Sequence, residues 1–219
     1  MLHMQLCRPD IMFAVCKLSR YLNEPTKAHM TQAKRVLTYL YTTKNNGITY
    51  GKKVHGIIGH DIIFGYADAD FASDLNNRRS TTGWIFMYNG GAISWRSHQQ
   101  SIVALSTSEA EYMALSDAAK EARSLLKLNI TLETNSLQNI KIFEDNRGAL
   151  RWTSTLSEPN RTKHIDVAYH HIREWVRIGS ISILPVETSL QLADAMTKAL
   201  PRPQHEFLME KYCGETTAF

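Results

Sequence analysis

The stretch IIFGYADADFA at residues 62–72 decides the fold. Its apolar and aromatic side chains predict a strand in the core of a sheet. The same strand carries two acids, Asp68 and Asp70. Side chains alternate between the two faces of a strand, so both acids face one way and periodicity does not choose between them.

The segments that follow predict the rest of an α/β domain. Strands are expected at 82–88, 92–96, 140–144 and 181–186, and the sequence Asn89-Gly90-Gly91 is typical of a hairpin turn between the first two. Helices are expected at 108–128, 165–178 and 190–200, with a capping box over 106–109 and a short helix opening at Asp145-Asn146. Pro201 and Pro203 are expected to stop the last helix. This order predicts a mixed five-stranded sheet flanked by helices.

An N-terminal helical extension precedes this domain. Hydrophobic periodicity predicts helices at 10–22 and 27–41. Residues 1–53 hold nine Lys and Arg against two acids, whereas the remainder holds 16 basic and 19 acidic residues. A basic arm beside an acidic body suits a protein that attracts phosphates and holds metal. A solvated pair of basic helices explains the same charges equally well.

Composition excludes several classes of protein. With 43% hydrophobic and 21% charged residues, the 219-residue chain is expected to be soluble and globular. No apolar run approaches the ~20 residues that a membrane span needs, and no secretory signal is expected. The three cysteines are scattered, which favours reduced thiols in an intracellular, cytoplasmic protein over a disulfide frame or a zinc site.

Four acids stand on predicted strands and helices where chemistry can use them: Asp68, Glu111, Asp145 and Asp194. Glu111 shares the apolar face of its helix with Leu115 and is expected to point inward. Glu109 faces the other way and is expected to be a solvated cap residue. Magnesium prefers oxygen ligands, so a cluster of carboxylates is a natural Mg²⁺ site. Two such ions about 4 Å apart support phosphodiester hydrolysis.

Seven short stretches resemble the ribonuclease H domain of copia-type long-terminal-repeat retrotransposons. They are GYADADFASD (65–74), RRSTTGWIF (78–86), GGAISWRSHQQ (90–100), ALSTSEAEYMAL (104–115), EDNRGAL (144–150), RTKHIDVAYHHIRE (161–174) and LADAMTKALPRP (192–203). Residues 8–40 resemble the end of the reverse transcriptase that precedes this domain in Pol polyproteins. The polymerase's own Tyr-x-Asp-Asp hairpin is missing, so no polymerase activity is expected.

The resemblance implies a ribonuclease H-like fold and a role for each acid. It places the catalytic and metal-binding carboxylates at Asp68, Glu111, Asp145 and Asp194, with two Mg²⁺ ions, for which Mn²⁺ can substitute. It divides the chain into a reverse transcriptase remnant at 1–53, the ribonuclease H domain at 60–205 and a tail at 206–219. The His-containing loop that many members carry before the last acid is missing, because residues 186–193 contain no His.

Several polar residues are candidates for substrate contacts. Thr107 and Ser108 are placed to donate to the sugar edge of a hybrid, although helix capping also explains them. Arg161, Lys163 and His164 form a polar cluster at a helix start, where an anion can bind.

The function expected from these residues is hydrolysis of the RNA strand of RNA–DNA hybrids during reverse transcription. The expected partners are the hybrid and the upstream reverse transcriptase, inside a virus-like particle if the element is active. Two alternatives stay open: a catalytically silent nucleic-acid-binding module, and an interaction protein derived from a transposon fragment.

Overall fold

A five-stranded sheet forms the centre of the computed structural model, which describes residues 7–51, 62–131, 139–154 and 171–213. Its strands are β1 (Phe64–Asp70), β2 (Thr81–Tyr88), β3 (Gly91–Gln99), β4 (Ile140–Glu144) and β5 (Ile181–Pro185), in the order β3-β2-β1-β4-β5. The first three strands are antiparallel neighbours, whereas β4 runs parallel to β1 and β5 parallel to β4. The predicted mixed five-stranded sheet is confirmed.

The turn between β2 and β3 shows why its sequence is typical of a hairpin. Asn89 and Gly90 both have positive φ, 48° and 84°. A two-residue turn with positive φ at both positions matches the twist of the flanking strands, and Asn and Gly adopt that conformation at the lowest cost. Tyr88 and Gly91 pair directly across it.

Helices cover both faces of the sheet. They are α1 (Met12–Ser19), α2 (Lys27–Thr42), α3 (Thr107–Thr131), α4 (Arg147–Ser154), α5 (Asp194–Thr197) and α6 (Arg202–Cys213), and residues 171–177 are also helical. One hydrophobic cluster joins Tyr112 and Leu115 of α3 to Ile142 of β4. A second cluster on the opposite face joins Ile85 of β2 to Met196 and Leu208. No helix in the described ranges has both the length and the apolar character that crossing a membrane requires.

The N-terminal extension packs on this second face. Ile11 and Met12 are buried in the same cluster as Met196 and Leu208. Beside them Arg8 and Asp10 form a buried ion pair at 2.7 Å. The helices predicted at 10–22 and 27–41 are therefore present and are part of one packed body with the sheet.

The C-terminal prediction is wrong in two respects. Instead of one helix at 190–200, the chain forms a 3₁₀ turn at Thr188–Leu190 and the single turn α5, after which Lys198 is extended. Pro201 and Pro203 lie at the start of α6 because a proline fits the first turn of a helix, where no N–H donor is needed. The predicted boundary after residue 205 falls inside α6, whose Leu208 and Tyr212 side chains are buried.

Candidate active site

Asp68 and Asp145 meet because their strands are parallel neighbours in the middle of the sheet. Tyr66 of β1 is in register with Phe143 of β4, so the residues two positions further along, Asp68 and Asp145, lie level. Asp68 is 1% exposed, and Asp145, just past the end of β4, is partly exposed. Of the two acids of β1, Asp68 belongs to the compact carboxylate group described below, whereas Asp70, the last residue of the strand, does not.

Glu111 reaches this pair from α3. The helix approaches β1 closely because small residues, Ala69 on the strand and Ala110 and Ala114 on the helix, form the contact. Glu111 is buried, and its Oε2 accepts a hydrogen bond of 2.6 Å from the N–H of Ala69. The expectation that Glu111 points inward is confirmed.

Three carboxylates thus form one compact group. Asp68, Glu111 and Asp145 each offer an oxygen, and these oxygens lie within 4.8 Å of one another. Burial raises the pKa of Glu111 far above its usual range, and repulsion by Asp68 adds to the shift. Burial likewise raises the pKa of Asp68 to about 6, although Lys198 opposes the shift. Such a group lowers its free energy by binding a cation.

Asp194 lies beside this group and is linked to it through Lys198. The Nζ of Lys198 lies 2.8 Å from Asp194 Oδ1 and 3.3 Å from Asp68 Oδ1. Thr197 Oγ1 donates to Asp68 Oδ2. The structure therefore brings all four predicted acids together, three in direct proximity and the fourth across one ammonium group.

A glycine lets α5 carry Asp194 so close to the sheet. Gly83 of β2 is opposite Asp68 in the antiparallel register. A Cβ at this position would meet Met196 Cβ and Thr197 Cγ2 at 2.6 Å. The helix turn that carries Asp194 rests directly on the backbone of β2.

Glu144 is a fifth carboxyl group that the sequence analysis missed. It is fully buried, and its Oε1 accepts a hydrogen bond from the N–H of Asn146. Its Oε2 has no hydrogen-bond partner among the described atoms. Burial raises its pKa well above the usual range. The alternation Ile140, Ile142, Glu144 along β4 was the available signal, since it puts all three on one buried face.

Glu109 corrects one expectation. It is 8% exposed, so it is buried and not solvated. Its N–H donates to Ser106 Oγ, as the predicted capping box requires, while its Oε2 accepts a 2.8 Å hydrogen bond from the N–H of Leu105. Glu109 therefore caps α3 and takes no part in the acidic group.

Of the expected substrate contacts, two lie in the described residues. Thr107 is exposed at the start of α3. Ser108 Oγ donates to Asn146 Oδ1, which also accepts from two N–H groups at the start of α4, so Ser108 ties the two helices together. Arg161, Lys163 and His164 lie outside the described residues.

Known proteins resemble this chain over most of its length. It is 40% identical over 204 residues to the retrovirus-related Pol polyprotein from transposon TNT 1-94 of Nicotiana tabacum, a match that covers 93% of this chain and 15% of that protein. It is also 45% identical over 119 residues to the secreted RxLR effector protein 161 of Plasmopara viticola, covering 54% of this chain and 80% of that protein. No protein-family model matches the chain.

The chain is homologous, over at least 91% of its length, to Pol polyproteins of plant copia-like transposons. Among solved structures, RNase H1 from the archaeon Halobacterium salinarum is 20% identical, with a TM-score of 0.46, and the match covers 62% of this chain and 93% of that one. The chain spans about 15% of the length of the tobacco Pol polyprotein.

Three further residues at the site were not predicted from the sequence. Thr197 and Lys198 lie in the stretch LADAMTKALPRP, where no local pattern marks them as functional. Both contact Asp68. Gln191 was also missed: its Nε2 donates to the carbonyl of Ala67, and this bond fixes the loop before α5 to β1.

Proposed function

We propose that the chain is a metal-dependent endonuclease of the ribonuclease H type, which hydrolyses the RNA strand of RNA–DNA hybrids. The group formed by Asp68, Glu111 and Asp145, with oxygens within 4.8 Å of one another, carries this proposal. Sequence similarity to Pol polyproteins of transposons supports this proposal, because reverse transcription produces such hybrids. The same similarity supports the proposal that the enzyme acts inside the cell, in a virus-like particle and beside the upstream reverse transcriptase.

The residues fit Mg²⁺ or Mn²⁺. All the donor atoms are carboxylate oxygens, which these ions prefer. Among the described residues, four acids at the site are buried and one ammonium group pairs with two of them, so a divalent ion would stabilise their charged forms. Asp68, Glu111 and Asp145 would hold one ion, and Asp68 with Asp194 a second. Bound ions would supply a Lewis acid that activates water and stabilises the leaving 3′ oxygen.

The protein's own contribution is to hold these oxygens rigidly. The N–H of Ala69 fixes the carboxylate of Glu111, and Thr197 fixes that of Asp68. Gln191 bridges two elements, because its Nε2 donates to Ala67 while its Oε1 accepts from the N–H of Ala193. Catalytic groups held by such neighbours keep their geometry when substrate arrives.

We assign the substrate as a hybrid because selective cutting of one strand requires its 2′-hydroxyl groups to be read. Thr107 supports this assignment, since its exposed side chain stands four residues before Glu111 on the same helix. Arg161, Lys163 and His164 stay candidates for phosphate contacts.

The experiment is cleavage of an end-labelled RNA strand annealed to DNA, with Mg²⁺ and with EDTA. The expected result is cutting that requires the metal, with little action on duplex DNA or on single-stranded RNA. Glu111→Gln should abolish it. Glu109→Gln is the matched control, because this buried glutamate lies two residues away and glutamine keeps an oxygen that accepts from Leu105.

Two results would point elsewhere. Equal cutting of duplex DNA would indicate an integrase-like nuclease. Binding of the hybrid without cutting would indicate a silent nucleic-acid-binding module.

A further inference from the structure

Lys198 divides the acidic site into two unequal halves. Its ammonium group contacts Asp68 and Asp194, at 3.3 and 2.8 Å. No other ion pair between described residues involves the four acids. The oxygens of Asp68, Glu111 and Asp145 that form the compact group therefore face one another, whereas the space between Asp68 and Asp194 holds a positive charge.

The backbone conformation at Lys198 holds its ammonium group close to Asp68 and Asp194. Lys198 follows α5 directly, in an extended conformation, and its N–H donates to the carbonyl of Asp194. The side chain is only 34% exposed, while the side chains of Asp68 and Asp194 are 1% and 6% exposed. The hydrogen bond from its N–H keeps the backbone of Lys198 beside the acidic site, whereas its long, flexible side chain can rotate toward solvent.

We infer that the ammonium group of Lys198 occupies the position of the second divalent cation, between Asp68 and Asp194. Metal binding at this position must displace the ammonium group. The inference rests on the proposed function, since it assumes that these acids bind metal. An ammonium group and a metal ion that contact the same two carboxylate oxygens lie close enough to repel each other strongly. Metal at this position therefore binds more weakly than metal at the group that includes Glu111.

A purely structural role for Lys198 makes a different prediction. If the lysine only braces α5 against β1, its removal lowers stability equally with and without metal and leaves metal affinity unchanged. Competition instead predicts that its removal tightens one binding step. The two roles therefore differ in a binding constant, which cleavage assays do not report.

The test is a calorimetric titration of the full chain with Mn²⁺ alone, for the wild type and for Lys198→Met. The weaker of the two dissociation constants should fall by about tenfold, the size expected when one competing unit charge is removed from contact with two carboxylates. Lys198→Gln, which keeps a hydrogen-bond donor but no charge, should tighten the same step and serves if Lys198→Met folds poorly. Lys198→Arg, which keeps the charge, should leave both constants close to those of the wild type.

Lys120→Met is the matched control, because Lys120 pairs with Asp117 on the surface of α3, away from the site. Its constants should equal those of the wild type. Two unchanged constants in Lys198→Met and Lys198→Gln overturn the inference alone. Absence of Mn²⁺ binding in every protein overturns the proposed metal-dependent function as well, so the two failures are distinguishable.

Discussion

Two buried clusters of charged residues in this chain differ in whether their charges are paired. Around Asp10, every charge has a partner: Arg8 donates to both carboxylate oxygens, and Tyr39 donates to Oδ2 at 2.8 Å. Around Asp68, carboxylates face other carboxylates, and among the described residues Lys198 alone forms ion pairs with them. A balanced cluster stabilises the fold, whereas an unbalanced one stores repulsion that a ligand relieves. Substitutions in the two clusters should therefore change stability in opposite directions.

The largest effect is expected from breaking the balanced cluster. Asp10→Ala leaves the guanidinium of Arg8, whose side chain is 8% exposed, without its ion-pair partner. Removing one member of a buried pair typically costs about 3–5 kcal/mol. The midpoint of urea unfolding should fall accordingly, by the same amount with and without Mg²⁺.

Tyr39→Phe is the milder companion to this variant. It removes the hydroxyl group that bonds to Asp10 Oδ2 and lies 3.2 Å from Met209 Sδ, and should cost about 1 kcal/mol. A loss from Asp10→Ala no larger than that of Tyr39→Phe would show that the cluster around Asp10 contributes little to stability.

Gly83→Ala tests how the sheet holds α5 against the acids. The added methyl group would meet Met196 and Thr197 at 2.6 Å, so the helix turn must shift. Overpacking of this kind costs about 1–3 kcal/mol. Because Asp194 and Lys198 move with the turn, hybrid cleavage should fall as well. Unfolding and cleavage are measured on the same preparation.

Gly47→Ala is the control, since a Cβ at Gly47 meets nothing within 4 Å. It should leave both stability and cleavage at the level of the wild type. Full cleavage by Gly83→Ala would mean that the position of α5 does not matter for the reaction.

The smallest effect is expected at a surface cluster, where water screens the charges. Burial alone would raise the pKa of Asp117, but hydrogen bonds from His98 and Lys120 outweigh it and lower the pKa. The folded state thus favours the charged form, so this stabilisation is present above pH about 4 and is lost as the pH falls through the lowered pKa. The loss should stay below about 1 kcal/mol because the group is partly exposed.

Unfolding of the wild type and of Asp117→Asn, compared between pH 6 and pH 3, measures this contribution. The difference between the two proteins should shrink as the pH falls. A difference that grows toward acid would contradict the assigned sign.

The sequence predicted the acids better than their surroundings. Asp68 and Asp145 follow from strand pattern and motif, and parallel pairing of their strands brings them together without further information. Helical periodicity correctly predicts that Glu111 points inward. The same periodicity wrongly predicts that Glu109 is exposed to solvent. The prediction for Glu109 failed because the loop before α3 covers this cap residue, whose carboxylate accepts a hydrogen bond from the N–H of Leu105.

The parts that sequence could not predict depend on tertiary contacts. A helix through 190–200 would have made Lys198 an ordinary partner of Asp194 one turn away, at a helix surface. The break after Thr197 instead turns its ammonium group toward Asp68, from a strand about 130 residues earlier in the chain. Pro201 marks a helix end near residue 200, but nothing in the sequence predicts that the helix already ends after Thr197.

One measurement tests the central contrast most directly: thermal unfolding of the wild type and of Asp145→Asn, each with EDTA and with saturating Mg²⁺. Asparagine keeps the shape of Asp145 and removes one of the repelling charges. Without metal, Asp145→Asn should be as stable as the wild type, or more stable by roughly 1 kcal/mol. Mg²⁺ should stabilise the wild type as RT ln(1 + [L]/Kd) requires, and this gain should shrink in Asp145→Asn. Two results together would contradict the account. The metal-free Asp145→Asn variant would lose several kcal/mol of unfolding free energy, as Asp10→Ala should, and Mg²⁺ would not change the stability of the wild type.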